Sequence, residues 1–385
     1  MATDAPIAAA QGHWPWPWDW VGLAGPTASG KSAIAMAIAR EMPIEIISVD
    51  SALVYRGMDV GSAKPSTEER AQVPHHLIDV CDPLQSHSAA DFVRAANALI
   101  PAIQQRGRLP VLVGGTMLYF KALIEGLDPM PASDAVVRSD IESQALREGW
   151  PAMHALLAEV DPDAAQRLSP HDAQRINRAL EVWRISGRPL SAHFSPKLAV
   201  QTPGALRDAT GRRALLLSLE PEQRSWLHQR IETRFDHMLA QGLLAEVLRL
   251  RALPGWQEHA PAMRCVGYRQ AWPVLAHWHA QGWTDDQLLT ALRPFEVDGS
   301  SQAVPKGTGV VSHEPALMVG LSQWRSTSLA ATRQLAKRQL TWLRGMTERQ
   351  AVTCDAPDAL ERVLGLVRSG QPTLGTFLPV SAPGL

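Results

Sequence analysis

Gly25-Pro26-Thr27-Ala28-Ser29-Gly30-Lys31-Ser32 decides how the chain is read. Trp20-Val21-Gly22-Leu23-Ala24 precedes it, an apolar run of strand length. Ala33-Ile34-Ala35-Met36-Ala37-Ile38-Ala39-Arg40 follows with helical composition. Strand, glycine loop and helix make G-x-x-x-x-G-K-S a phosphate cradle rather than a chance string. The glycines let backbone N–H groups converge on phosphate oxygens, and the helix N-terminus adds partial positive charge. Lys31 supplies a full charge, and the Ser32 hydroxyl is placed to ligate Mg²⁺. The loop therefore binds a di- or triphosphate, and its residues alone do not say which.

The 385 residues, 45% hydrophobic, suffice for two or three domains. A formal net charge of −1 gives no global attraction to nucleic acid or membrane, so any polyanion site is local. Cys81, Cys265 and Cys354 are scattered, without metal-ligand or disulfide spacing, which fits a reducing compartment. No secretory signal is apparent and no apolar run reaches the ~20 residues that span a bilayer. Trp14, Trp16, Trp18 and Trp20 alternate with Pro15, Pro17 and Asp19, which reads as an irregular leader packed onto the first strand.

Ile44-Glu45-Ile46-Ile47-Ser48-Val49 reads as a second parallel strand ending at Asp50. Ligands of open α/β sheets sit beyond the strands' C-terminal ends, which puts Asp50 near the phosphate loop. A carboxylate there can hold Mg²⁺, orient a nucleophile, accept a proton or simply cap a turn; position alone leaves these open. His75 and His76 point to opposite faces of a strand and read as structural. Residues 88–106 read as a helix capped by Ser88 and kinked or broken at Pro101. Leu109-Pro110-Val111-Leu112-Val113 is a third strand, ending in Gly114-Gly115-Thr116 and a helix. Glycines there allow close approach of a ligand or backbone.

From Asp128 the pattern turns helical. Ser169 reads as the cap of a helix whose apolar stripe is Ile176, Leu180 and Trp183, with Gln174, Arg175 and Arg178 off the stripe. Ala214-Leu215-Leu216-Leu217-Ser218-Leu219 returns to the sheet. Arg224, Arg230 and Arg234 follow on an amphipathic helix. Residues 263–270 combine Arg264 and Arg269 with Tyr268, a mixture suited to phosphate contact and base stacking. Residues 293–324 read as a loop insertion. Residues 330–344 form a basic helix with no acid, a candidate polyanion surface. The tail from Thr347 reads as dispensable for chemistry.

Together these stretches resemble the tRNA dimethylallyltransferases, also called tRNA isopentenyltransferases. The resemblance runs through the phosphate loop, residues 50–59, Pro74-His75-His76-Leu77-Ile78-Asp79, Val113-Gly114-Gly115-Thr116, Gln174-Arg175-Ile176-Asn177-Arg178, Arg264-Cys265-Val266-Gly267-Tyr268-Arg269 and residues 332–339. It implies transfer of a dimethylallyl group from dimethylallyl diphosphate to N6 of the adenosine just 3′ of the anticodon, with Mg²⁺ and release of diphosphate. It implies that the loop holds a leaving diphosphate, that Asp50 is the general base, and that Thr27 and Thr116 line the pocket. It further implies tRNA contacts from Asp50, Ser51, Ala52, Leu53, Thr116, Arg138, Gln174 to Arg178, Arg264 to Arg269, Arg333, Lys337 and Arg338. A monomer in the cytoplasm is the family expectation.

The expected fold is α/β, a P-loop-type parallel sheet flanked by helices, with an inserted helical domain and a mainly helical C-terminal part. Its divisions are a leader (1–19), a catalytic core with tRNA-binding helices (20–126, 190–292 and 326–346), an inserted tRNA-contacting domain (127–189), a loop insertion (293–325) and a tail (347–385). The leader and the insertion depart from the family pattern. Three other readings use the same loop: a small-molecule kinase with Asp50 as base, a prenyltransferase of free adenine nucleotide, and a non-catalytic RNA-binding protein. Neither of the first two gives the basic helix a task, and the third leaves the intact loop and Asp50 unexplained.

Overall fold

A computed structural model describes residues 14–194, 206–258, 260–292 and 315–369. Six strands, β1 (Trp20–Ala24), β2 (Ile44–Val49), β3 (His75–His76), β4 (Leu109–Gly114), β5 (Ala214–Glu220) and β6 (Gln350–Thr353), form one sheet in the order β3-β2-β4-β1-β5-β6. Every pairing is parallel. The four central strands are apolar almost throughout, as strands covered on both faces must be.

The helices are α1 (Lys31–Glu41), α2 (Thr67–Gln72), α3 (Ala89–Gln105), α4 (Met117–Glu125), α5 (Ala135–Glu148), α6 (Trp150–Val160), α7 (Pro162–Arg167) and α8 (Ala173–Ser186). After β5 come α9 (Arg224–Ala240), α10 (Leu243–Arg251), α11 (Tyr268–Ala280), α12 (Asp285–Ala291), α13 (Pro315–Arg344) and α14 (Ala359–Ser369). The chain divides into two compact units, residues 1–124 with 201–385, and residues 125–200.

In the first unit, α1 and α14 cover the sheet face that carries Val21, Leu23, Ile44, Ile46 and Val111. Trp18 is buried on this side, and Trp14 and Trp16 pack against it, as an irregular leader would. The other face carries Trp20, Ile47, Val49 and Leu112 under α3, α4 and the end of α13. A third apolar cluster joins α9 to α13 around Tyr268, Trp278 and Trp324. The second unit packs α5 to α8 around Ile141, Met153, Leu157, Ile176 and Leu180.

Several sequence expectations need correction. Ser88 does cap α3 with Asp91 in a reciprocal capping box, but the helix runs unbroken through Pro101. The ring lies on the exposed side, where water can take the carbonyl left without a donor, while Ile100 and Ile103 are buried. The cap of α8 is Asp172, not Ser169, because the Asp172 side chain accepts from Arg175 N. Trp183 is only half-buried; Ala179 and Val182 widen the stripe instead. Residues 315–324, read as loop, begin α13. Leu317, Gly320 and Trp324 form a buried stripe, and the bare Gly320 lets Trp278 approach. The rest of that insertion, 293–314, lies outside the described residues, as do 1–13 of the leader.

The described part of the tail, 347–369, joins the sheet; residues 370–385 lie outside the described residues. β6 extends β5, α14 packs beside α1, and the Asp355 carboxylate accepts from Glu222 N and Gln223 N just before α9. Its short strand and amphipathic helix carried the signal in Val352, Val363, Leu366 and Val367.

A buried carboxylate fixes the loop that follows Asp50. Glu246 of α10 is 2% exposed and accepts from Asp59 N, Val60 N and Gly61 N at 2.7, 2.9 and 2.9 Å. Tyr268 Oη donates to the same carboxylate at 2.5 Å. Four donors lose their acceptor together if it is removed, and unsatisfied buried donors are costly. Glu246→Ala is expected to lower stability in equilibrium urea denaturation by about 3 kcal/mol. A loss below about 1 kcal/mol would show that water replaces the carboxylate and that the clamp is not structural.

Candidate active site and RNA-facing residues

Three adjacent strand ends converge. β2, β4 and β1 lie side by side, so Asp50, Gly115-Thr116 and Gly25 emerge at one edge of the sheet. Gly114 lies so close to Val49 that a Cβ would fall 2.0 Å from the Val49 carbonyl oxygen. That approach lets Thr116 N donate to Val49 O at 3.1 Å, while Thr116 Oγ1 accepts from Ser51 N at 3.0 Å. Asp50 turns its own carboxylate back to accept from Ala52 N at 2.8 Å. The Asp50–Leu53 segment is thus held at both ends, with Asp50 half-buried and Ser51 exposed.

The phosphate loop bends through two left-handed residues, Ala28 (φ 64°) and Gly30 (φ 92°). An alanine there is strained, and such strain persists where the surroundings impose it. Arg230 of α9 imposes part of it by donating to Ala28 O at 2.8 Å. Lys31 folds back to donate to Pro26 O at 2.6 Å. Burial, aided by Arg234, pushes the Lys31 ammonium down to about 8 against the opposing pull of Asp50. Burial likewise lowers Arg234, which Asp50 supports and Arg230 opposes. One carboxylate therefore faces a loop with three nearby cations, a field that awaits an anion.

Gln339 of α13 closes the arrangement. Its Nε2 donates to Gly115 O at 2.8 Å and its Oε1 accepts from Thr27 N at 2.9 Å. Gly115 is bare because a Cβ there would sit 2.3 Å from Gln339 Nε2. Gln339, Arg230 and Arg234 were absent from the sequence-derived site. The signal available was helical spacing: Arg230 and Arg234 stand four apart on α9, and Gln339 follows Lys337 and Arg338 directly.

Ser32 lies exposed in the first turn of α1. Among the described residues no cluster of three His, Cys, Asp or Glu could hold a metal ion. A hydroxyl beside phosphate oxygens fits Mg²⁺, which keeps several waters and takes substrate phosphates as ligands.

The remaining sequence-derived residues divide by burial. On α13, Lys337 and Arg338 are exposed, without an ion-pair partner among the described residues, whereas Arg333 leans on Glu232 of α9 at 3.7 Å. Arg264 and Arg269 are exposed, and Cys265 and Val266 half-buried. Burial pushes the Cys265 thiol up to about 12. Tyr268 corrects an expectation: it is fully buried and bonded to Glu246, so it cannot stack on a base. Gly267 is buried too, its carbonyl accepting from Trp324 Nε1.

In the second unit, Gln174 and Arg175 are exposed, but Ile176 and Asn177 are 0% and 6% exposed and belong to its core rather than its surface. Arg178 and Arg138 flank one carboxylate. Glu181, 0% exposed, accepts from Arg178 at 2.7 Å, Arg138 at 3.4 Å, Ser133 Oγ at 2.6 Å and Asp134 N at 2.9 Å. These bonds hold the carboxylate below its usual range despite its burial, which alone would raise it. Two half-exposed guanidinium groups are thereby fixed side by side.

Comparison with known proteins places this geometry. The IPP transferase family model matches residues 53–346. The tRNA dimethylallyltransferase of Albidiferax ferrireducens is 55% identical over 354 residues, covering 90% of this chain and 89% of that protein. That of Paracidovorax citrulli is 53% identical, with 90% of each covered. The crystal structure of the full-length tRNA isopentenylpyrophosphate transferase from Bacillus halodurans is 30% identical with a TM-score of 0.51, covering 90% of this chain and 95% of that one. A eukaryotic dimethylallyltransferase acting on tRNA, 22% identical with a TM-score of 0.60, shares the fold. With a sheet, loop and carboxylate so arranged and relatives matching along nine-tenths of its length, the chain belongs to the tRNA dimethylallyltransferase family.

Proposed function

We propose that this chain transfers a dimethylallyl group from dimethylallyl diphosphate to N6 of the adenosine next to the anticodon on its 3′ side. The observation that carries the reading is the placement of Asp50 opposite the cationic loop, within electrostatic reach of both Lys31 and Arg234. The loop amides, Lys31, Arg230 and Arg234 receive the diphosphate. The C–O bond to the dimethylallyl carbon breaks, the N6–C bond forms, and diphosphate leaves with the electron pair. Asp50 accepts the proton that N6 loses. Cations preset around the loop stabilise charge as it develops on the leaving oxygens. Mg²⁺, held by Ser32 and the diphosphate oxygens, would add Lewis-acid stabilisation to the leaving group. Thr27 and Thr116, fixed by Gln339 and Ser51 respectively, border the space between loop and carboxylate.

A weak amine nucleophile needs placement before it needs activation. The target base has to leave its stack to reach a site at the sheet edge. Ser51 to Leu53, Arg264, Arg269, Lys337 and Arg338 in the first unit, and Gln174, Arg175, Arg178 and Arg138 in the second, supply the RNA contacts. We assign the chain to the cytoplasm and to a monomeric state; three unpaired cysteines agree with a reducing compartment.

The direct test is incubation with Mg²⁺, labelled dimethylallyl diphosphate and an unmodified tRNA. Label is expected on tRNA and is expected to vanish when the target adenosine becomes guanosine. Label on free adenine nucleotide, or phosphate moved from ATP, would overturn the reading. Asp50→Asn should cost about 10²- to 10⁴-fold in turnover with tRNA affinity retained, the usual contribution of a general base. An equal loss of binding and turnover would remove Asp50 from that role.

The Lys31 ammonium binds an anion only while charged. With its pKa lowered to about 8, affinity for dimethylallyl diphosphate should hold below that pH and weaken as pH rises through it. Lys31→Arg, whose charge persists, should flatten the profile. Undiminished wild-type affinity up to high pH would show that Lys31 does not contact the diphosphate.

Arg175→Gln with Arg178→Gln should weaken tRNA binding and reduce the salt slope by about 0.7 to 0.9 for each phosphate left without its cation. An unchanged slope would show that neither side chain meets an RNA phosphate.

A further inference from the structure

The helix α13 contains no acidic residue in its 30 positions. Arg325 is neutralised by Asp236 and Glu232 of α9, and Arg333 leans on Glu232. Lys337, Arg338 and Arg344 have no carboxylate partner among the described residues, and all three are exposed. Trp342 lies among them. It is 40% exposed and belongs to none of the apolar clusters of the fold. The neighbouring Leu343, by contrast, is fully buried in the cluster beneath α4. The helix thus turns one large apolar side chain inward and leaves a larger one on its basic face.

A neighbour of Trp342 on another helix is also cationic. Lys121 of α4 places its Nζ 5.9 Å from the indole ring centre, within cation–π range. Leu118, one turn earlier on α4, is 50% exposed. Gln339, one turn before Trp342, is bonded to the phosphate loop and to Gly115. An exposed indole with basic neighbours therefore stands one helical turn from the residue that closes the catalytic edge. A cationic surface with an aromatic ring favours single-stranded nucleic acid, whose backbone answers the charges and whose unpaired bases stack on the ring. The missing carboxylates argue for a polyanion and against a protein partner of mixed charge.

We propose that Trp342 is a stacking platform for an unpaired anticodon-loop nucleotide of the tRNA substrate, with Lys337, Arg338 and Arg344 holding the adjoining phosphates. The inference rests on the tRNA reading of the site. It adds an aromatic contact in the place that the buried Tyr268 cannot fill. Stacking onto a fixed indole would hold the loop open beside the flipped adenosine.

The test measures the affinity of an unmodified anticodon stem-loop RNA across a salt series. Trp342→Ala and Trp342→Leu are expected to weaken binding by about tenfold, while Trp342→Phe retains most of it. The salt slope should match wild type in all three, because stacking releases no counterions. Lys337→Gln with Arg338→Gln should lower the slope instead. Affinity for dimethylallyl diphosphate alone should be unchanged in the Trp342 variants, which shows that the loop and sheet remain intact. Wild-type affinity in Trp342→Ala and Trp342→Leu would overturn the proposal, as would equal losses in Phe, Leu and Ala or a slope that falls with them. If wild type neither binds the stem-loop nor labels tRNA, the tRNA reading itself fails. If wild type labels tRNA and Trp342→Ala binds as well, the stacking platform alone is wrong.

Discussion

The carboxamide of Gln339 joins three parts of the molecule. It donates to the end of β4, accepts from the phosphate loop and belongs to a helix of 30 residues. An amide is the side chain that can do both at once, since it carries a donor and an acceptor on one plane. Without it, Thr27 N and Gly115 O would lose this partner, and the helix end would be held to the sheet by apolar packing around Leu343 alone. At the other end of the same helix Trp324 is buried and donates to Gly267 O. Between these anchors, Arg325 and Arg333 lean on α9, the helix that brings Arg230 and Arg234 to the loop. One helix thus braces the glycine loop from two sides and leaves Lys337 and Arg338 exposed on its outer face.

Two almost wholly buried carboxylates, Glu246 and Glu181, are held quite differently from the half-buried Asp50. Glu246 gathers three backbone amides and a tyrosine, and Glu181 gathers two arginines. Each is held by donors, so neither is available to take a substrate proton. Asp50, among the described residues, accepts from its own turn at Ala52 N and lies within electrostatic reach of Lys31 and Arg234. The number of donors around each carboxylate is what sets Glu246 and Glu181 apart from Asp50.

The sheet and its phosphate loop were legible because local signals agree: apolar strands, paired glycines, Lys31-Ser32, and a helix directly after. Asp50 and Thr116 were placed by the rule that ligands sit at strand ends, and β2, β4 and β1 do lie adjacent. Burial was harder to read. Tyr268 and Asn177 lie inside motifs whose neighbours are exposed, and only packing separates them, whereas helical spacing had already placed Ile176 on the apolar stripe. Arg230 and Gln339 reach the site through hydrogen bonds spanning 202 and 312 residues of sequence, and Arg234 lies within electrostatic reach of Asp50, none of which a local pattern encodes. The four-residue edge strand in the tail carries little signal of its own, and the apolar spacing of α14 was the cue to its place in the fold.

The central claim is that one carboxylate and one phosphate loop face each other across the reacting carbon. It is tested most directly by a crystal structure of the chain with a thiolo analogue of dimethylallyl diphosphate and an unmodified anticodon stem-loop. The account predicts the diphosphate on residues 25–32, with Arg230 and Arg234 against it, and Asp50 within hydrogen-bond distance of the flipped adenosine N6. A diphosphate bound elsewhere, or N6 facing a group other than Asp50, would contradict it.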